Sequence, residues 1–311
     1  MNNFKYSNNR NFLTSYDLNK SEIISIFELA AKFKKGNYEE NVGKKVLGLV
    51  FDKASTRTRV SFQVAMSRLG GTTIDLNPGL TQIERGEPIK DTARVLSRYC
   101  DLLAIRTFKQ STIEEYARWA SIPVINALTD LEHPCQSLAD FFTIKEEFGS
   151  FDNVVLTFIG DGNNVANSLI VLSAIFGVKI CILCPKGFEP SPMILNKAKD
   201  IRNNFDLIVT DDFNVALKDA NVLYTDVWSS MGQEKDKANK DLYFKGFTLD
   251  ENIIRKVEDN AIIMHCLPAY RGKEITDEAF ESPNSRIFNQ AENRLHVQQA
   301  LLYFLLNSNL H

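Results

Sequence analysis

The chain has 311 residues, 44% hydrophobic and 24% charged, a globular composition with enough length for about two domains. A formal net charge of −3 offers no overall basic field to nucleic acid, and no apolar run approaches the roughly 20 residues of a membrane-spanning helix. Met1-Asn2-Asn3-Phe4-Lys5-Tyr6 lacks the apolar centre of a secretory signal, and the five scattered cysteines form no disulfide framework, so a reducing cytoplasm is the expected compartment.

In chain order, residues 1–15 are polar and read as irregular. Residues 19–35 carry Ile23, Ile24, Ile26, Phe27, Leu29, Ala30, Ala31 and Phe33, read as an amphipathic helix that stops near Gly36. An apolar run at 46–51 predicts a buried strand. The polar turn Ser55-Thr56-Arg57-Thr58-Arg59 follows, and then a helix whose apolar side is expected to hold Val60, Phe62, Val64, Ala65 and Leu69. A strand at 72–76, a polar loop at 79–88, a helix at 91–100, a strand at 102–105 ending at Arg106, a helix at 112–120 and a strand at 123–126 complete a first alternating set. His133-Pro134-Cys135-Gln136 opens a longer helix to about Phe148. A second set has strands at 154–159, 179–183, 207–209, 222–225 and 261–264, helices at 165–176 and 192–203, and a last helix at 291–306. Alternation of this kind predicts an α/β protein with two doubly wound domains, parallel central sheets and an active site in the cleft between them. In such sheets ligands sit beyond the carboxyl ends of the strands, which selects Ser55 to Arg59, Arg106, His133 to Gln136, Asp161 to Asn164, Asp226 and Cys266.

The residues at those ends carry chemistry. Ser55 to Arg59 put hydroxyls and guanidinium groups where a helix presents free backbone N–H groups, a ready anion site. The turn is either a phosphate cradle or a capped helix with two solvated arginines, and it has neither the glycines nor the lysine of a Walker loop. His133 and Gln136 lie one turn apart, a pair able to polarise a carbonyl and bind an amide, or else structural. Gly160-Asp161-Gly162-Asn163-Asn164-Val165 is close to a dinucleotide fingerprint. Val165 replaces its third glycine, however, and Cys184-Pro185-Lys186 stands where a ribose-binding acid belongs. The turn instead aims Asn163 and Asn164 at a carboxylate or amino group. Asp226 and Ser230 are ammonium partners if the loop at 226–241 is a substrate-gripping lid, and chance polar residues if it is only a surface loop. Cys266 is either a buried structural thiol or one with a depressed pKa near arginines. Arg294 is either an anion ligand or a solvated charge. The Cys181-x-x-Cys184 pair lies in an apolar strand without a second pair and is expected to be structural.

Taken together, these segments resemble the aspartate/ornithine carbamoyltransferase family over nearly the whole chain. Ser-Thr-Arg-Thr at 55–58, His-Pro-Cys-Gln at 133–136, Asp-Val-Trp-Ser-Ser-Met-Gly-Gln at 226–233 and His-Cys-Leu-Pro at 265–268 stand in that family's order and spacing, and the last two resemble its ornithine branch. The resemblance implies carbamoyl transfer from carbamoyl phosphate to the δ-amine of L-ornithine, most simply in arginine biosynthesis. It implies domains at 1–140 (rejoined by the helix at 291–311) for carbamoyl phosphate and at 141–290 for ornithine. Ser55, Thr56, Arg57, Thr58, Gln82, Arg106, His133, Gln136, Cys266, Leu267 and Arg294 match carbamoyl-phosphate positions, with Arg106, His133 and Cys266 catalytic. Asn164, Asp226, Ser230 and Met231 match ornithine positions. No metal or cofactor is implied, and the partners are the two small substrates and further copies of the chain in a homotrimer or a multiple of trimers. Two departures stand out: Cys135 occupies a variable position, and Pro88 stands where a serine is common near Gln82. Rival readings are a transcarbamylase for putrescine, acylated ornithine or aspartate, a nicotinamide-dependent dehydrogenase, and a silent binding protein.

Overall fold

The computed structural model describes residues 10–37, 39–52, 55–76, 86–229, 237–257 and 259–308. The chain divides into two compact units, Met1–Leu138 with Arg294–His311, and Ala139–Asn293.

The first unit runs α1 (Lys20–Lys34), β1 (Val46–Phe51), α2 (Arg57–Arg68), β2 (Thr72–Leu76), α3 (Ile89–Tyr99), β3 (Leu102–Arg106), α4 (Gln110–Trp119) and β4 (Val124–Leu128), and then enters α5 (Pro134–Phe148). Its sheet is parallel, in the order β2-β1-β3-β4. β1 and β3 are apolar without alternation because both of their faces are buried, whereas the edge strand β2 keeps exposed positions. α1 forms where Asn19 and Glu22 close a capping box, and it buries Ile23, Ile26, Phe27, Ala30 and Phe33. Two expectations change. Residues 10–15 are not wholly irregular, since Phe12 is fully buried and makes a parallel bridge to Ile125 beside β4. The buried side of α2 is Thr58, Phe62, Ala65 and Met66, while Val60 is 50% exposed.

The second unit contains β5 (Val155–Ile159), α6 (Asn164–Phe176), β6 (Lys179–Leu183), α7 (Pro192–Ile201), β7 (Leu207–Thr210), α8 (Phe213–Ala216), β8 (Val222–Thr225), α9 (Lys237–Tyr243), α10 (Glu251–Ile254), β9 (Ile262–His265), α11 (Asp277–Phe280) and the start of α12 (Ile287–Asn307). The sheet is again parallel, in the order β7-β6-β5-β8-β9. α12 begins four residues before its expected start at 291, and the short helices α8 to α11 were not legible in the hydrophobic pattern. A Cβ on Gly162 would lie 2.3 Å from the Pro190 backbone nitrogen, so the turn after β5 can approach its neighbour only with glycine there. Burial pushes the Cys181 thiol up to about 11 and that of Cys184 up to about 12, as fits structural cysteines. Among the described residues, no helix is long and apolar enough to cross a membrane.

In each sheet the strand order reverses once, between β1 and β3 and between β5 and β8. At such a point the loops beyond adjacent strand ends diverge and leave room for a ligand.

Candidate active site

In the first unit, the register places Arg106 beside Phe51 at the end of β1, and the Asp52 N–H donates to the Arg106 carbonyl at 2.8 Å. Ser55 and Thr56 follow, and α2 starts at Arg57. Thr56 is the N-cap residue by position, but its side chain makes no capping hydrogen bond. A capped helix was one of the two readings open for this turn, and the missing cap bond leaves hydroxyl and first-turn amides together at a positive helix end. Arg57 is exposed, and Thr58 is buried. Arg59 points elsewhere: it pairs with Asp75 at 3.2 Å and lies over the Phe51 ring.

Arg294 joins three elements of this unit. Its Nη1 donates to Gln136 Oε1 at 2.8 Å and its Nη2 to Thr58 Oγ1 at 2.7 Å, which ties α12 to α5 and α2. The guanidinium is buried, so it is not the solvated charge that sequence left open. α5 begins directly after His133, with Pro134 as its first residue, where a missing N–H is harmless. His133 is buried, and its pKa lies well below the ordinary imidazole value, first because of burial and then because Arg294 and Arg106 repel a third cation. It is therefore a neutral hydrogen-bonding group in a cationic setting. Cys135 donates to the Asn126 carbonyl at 3.3 Å, and burial raises its thiol to about 12, so it serves packing.

In the second unit, Asp226 follows β8 and is held by three donors. Its Oδ1 accepts from Val227 N at 2.8 Å and Cys266 Sγ at 3.0 Å, and its Oδ2 accepts from Asn163 Nδ2 at 2.8 Å. Asn163 Oδ1 meanwhile accepts from Val165 N and Ala166 N and caps α6. Asn163 is thus committed to the fold and to Asp226, contrary to its expected place facing a ligand, while Asn164 is half-buried in the first turn. The depressed thiol also fails. Cys266 titrates well above a free cysteine, first through burial and then through the negative charges of Asp226 and Asp140. Its surroundings are acidic, and the sulfur stays protonated.

The turn that carries Cys266 is braced. Leu267 N donates to His265 Nδ1 at 2.8 Å, which places the imidazole proton on Nε2, 3.2 Å from Glu274 Oε1. Leu267 has φ of 59°, an uncommon conformation for a branched residue and one found at functional turns. Asp161, after β5, pairs with Lys240 at 2.6 Å; burial raises its pKa while the lysine opposes that rise. Asp226, His265 and Cys266 offer atoms within 4.8 Å of one another, as a metal site would. Each atom is already engaged, however: both imidazole nitrogens in the brace, the thiol as a donor, and the carboxylate as its acceptor. Gln82, Ser230 and Met231 lie outside the described residues. Sequence reasoning missed Asp140, Tyr224 and Gln290, which form a buried polar group in this unit and carry no motif of their own.

The first half-site can hold a dianion and polarise a carbonyl, and the second suits an amine. Comparison with known proteins bears on both. The carbamoyl-P binding domain model of the aspartate/ornithine carbamoyltransferases matches residues 10–146, and their Asp/Orn binding domain model matches residues 152–305. An ornithine carbamoyltransferase of Prochlorococcus marinus subsp. pastoris is 66% identical over 299 residues, covering 96% of this chain and 97% of its own. The crystal structure of ornithine carbamoyltransferase from Gloeobacter violaceus is 46% identical with a TM-score of 0.86, covering 96% of this chain and 98% of its own. That of the anabolic enzyme from Campylobacter jejuni is 42% identical with a TM-score of 0.90, covering 96% and 99%.

Proposed function

The chain belongs to the aspartate/ornithine carbamoyltransferase family, and from that premise we propose that it is an ornithine carbamoyltransferase, converting carbamoyl phosphate and L-ornithine to L-citrulline and phosphate. The observation that carries this reading is the Arg294 bridge, which links Thr58 of the first motif to Gln136 of the second inside one buried cationic cluster.

Each role follows from local chemistry. Ser55, Thr56, Arg57 and Thr58 hold the phosphate, with Gln82 as a further contact. Guanidinium groups and helix amides favour the charge that grows on this leaving group. Arg106 and neutral His133 donate to the carbamoyl oxygen as it becomes an oxyanion. Neutral imidazole suits that task, since it adds a donor without adding a third cation to Arg294 and Arg106. Gln136, oriented by Arg294, and the Leu267 carbonyl are assigned to the carbamoyl NH₂. Asn164, Asp226, Ser230 and Met231 take the amino-acid end of ornithine. Cys266 acts by position, as a neutral donor to Asp226, and forms no covalent intermediate.

The δ-amine resembles lysine, with an ordinary pKa of ~10.4, and attacks only when neutral. The neutral amine forms the C–N bond, the tetrahedral carbon expels phosphate, and the proton shed by the new amide nitrogen leaves on the phosphate, which balances the reaction. Orientation and preorganised charge carry the rate.

Arginine biosynthesis, a cytoplasmic setting and a homotrimer (or a multiple of trimers) complete the proposal. The anabolic relative and the cyanobacterial homologues support the pathway, and light scattering in steps of three chain masses tests the assembly. A colorimetric citrulline assay with ornithine, N-acetylornithine, putrescine and aspartate tests the reaction. Preference for ornithine supports it, and preference for another amine would leave the phosphate cradle in place and move the error to the loop after Asp226.

A further inference from the structure

In the second unit, α9 carries two adjacent residues of opposite sign, Lys240 and Asp241, and each has an ionic partner on a different segment. The Lys240 ammonium donates to Asp161 Oδ2 at 2.6 Å and to the Trp228 carbonyl at 3.2 Å. Asp161 stands in the turn after β5, and Trp228 lies two residues beyond Asp226, in the turn after β8. These strands are neighbours, and their turns are already joined by the bond from Asn163 to Asp226. Lys240 joins the same two turns again, which closes a ring of contacts through Asp161, Asn163, Asp226 and Trp228. Asp241 extends the tie to β9, the next strand in the sheet. Its Oδ2 accepts from Lys273 Nζ at 2.5 Å, and the adjacent Glu274 faces the His265 imidazole, just before Cys266.

We propose that Lys240 and Asp161 are positioning residues for the amine half of the reaction: their ion pair, together with the Trp228 carbonyl, fixes the two turns that carry Asn164 and Asp226, and α9 clamps the carboxyl ends of β5, β8 and β9. The identity of the amine rests on the carbamoyl-transfer reading; the clamp on the two turns does not.

The inner pair is the stronger of the two ties. The Lys240 and Asp161 side chains are only 13% and 15% exposed, and the Phe188 ring lies 5.6 Å from the ammonium. Water and salt screen such a pair poorly, and removing either ion strands the other. The Asp241 and Lys273 side chains are 36% and 38% exposed, so their pair contributes less. The turn after β5 is thereby held on two sides. Gly162 N donates to the Phe188 carbonyl at 2.8 Å on one, and Lys240 grips Asp161 on the other. A carboxylate and an amide held in place before the substrate arrives need no ordering when it binds.

The test compares the full-length parent with Lys240→Met, Lys240→Arg, Asp161→Asn and the Met/Asn double variant. Hydrogen–deuterium exchange without substrate reads the clamp directly. In Lys240→Met the amides of Gly162 and Val227 should exchange about tenfold faster, while those of β6 keep the parent rate. Faster exchange throughout the protein, or no change at the two turns, overturns the proposal. In turnover, Lys240→Met should raise KM for ornithine about tenfold, as the loss of an ordinary hydrogen bond would, with KM for carbamoyl phosphate unchanged. Lys240→Arg, which keeps the charge, should recover most of that loss. The double variant should be no worse than Lys240→Met, because the two residues act as one unit. Effects that multiply, or that fall on carbamoyl phosphate instead, count against the proposal. If Lys240→Met does not fold, the same exchange comparison on Asp161→Asn decides. A parent protein that makes no citrulline would refute the carbamoyl-transfer reading, and the exchange result would still decide the clamp.

Discussion

The two half-sites share an architecture and differ in charge. Each lies beyond the carboxyl ends of a parallel sheet, at the point where strand order reverses. Around His133 stand Arg106 and Arg294; around Cys266 stand Asp226 and Asp140. In both, burial favours the neutral form, and the neighbours carry the sign that the central group would take if it ionised. The imidazole is held below its usual pKa and the thiol above its own, and each remains a neutral donor beside fixed ions. Topology thus decides where a functional side chain stands, and burial, reinforced by the sign of its neighbours, decides its protonation state.

The largest test of this contrast is Arg57→Ala. Its side chain is exposed, so urea unfolding should move by no more than ~0.5 kcal/mol. Losing one preorganised donor to the leaving phosphate should lower turnover about 10²–10³-fold. Near-normal citrulline formation would remove Arg57 from the site.

Asp226→Asn keeps the shape of the acidic half and removes its charge. A hydrogen bond to a charged group contributes about 1.5–3 kcal/mol, so KM for ornithine should rise roughly 10- to 100-fold. Carbamoyl phosphate affinity, measured by calorimetry, should hold; if it fell while KM for ornithine stayed put, the two halves would be wrongly divided. Arg294→Lys probes the cationic half, because a single ammonium cannot serve Thr58 and Gln136 in the fork geometry of a guanidinium. Stability should drop by about 1–3 kcal/mol in urea titrations, and unchanged stability would mean that the bridge is ornamental.

The smallest effect is pH-linked. The folded protein keeps His133 neutral below the usual imidazole value of 6.5, while the unfolded chain takes up a proton there. Stability is therefore undiminished above about pH 6.5 and falls as pH drops from 6.5 toward the lowered folded pKa. His133→Gln should flatten that slope between urea midpoints taken at about pH 7.5 and pH 5.5, and an equal slope in the variant would show that His133 titrates normally.

Much of the design was legible in the chain. The apolar run before Ser55, the hydroxyls and arginines after it, and the proline at the head of α5 are local patterns, and the structure has a strand, turn or helix where each predicts one. The errors have long-range causes. Arg59 reads as an anion ligand until Asp75 from the adjacent edge strand claims it. Asn163 reads as substrate-facing until the α6 amides and Asp226 occupy both ends of its amide. Phe12 reads as loop until Ile125 pairs with it.

The sequence by itself determined which elements form and which residues stand at strand ends, because hydrophobic period and capping chemistry act over a few residues. Only the tertiary structure decided protonation and partnership. Arg294 reaches Thr58 across 236 residues and Gln290 reaches Asp140 across 150, and it is such contacts that set the burial and neighbouring charge on which the pKa values of His133 and Cys266 depend.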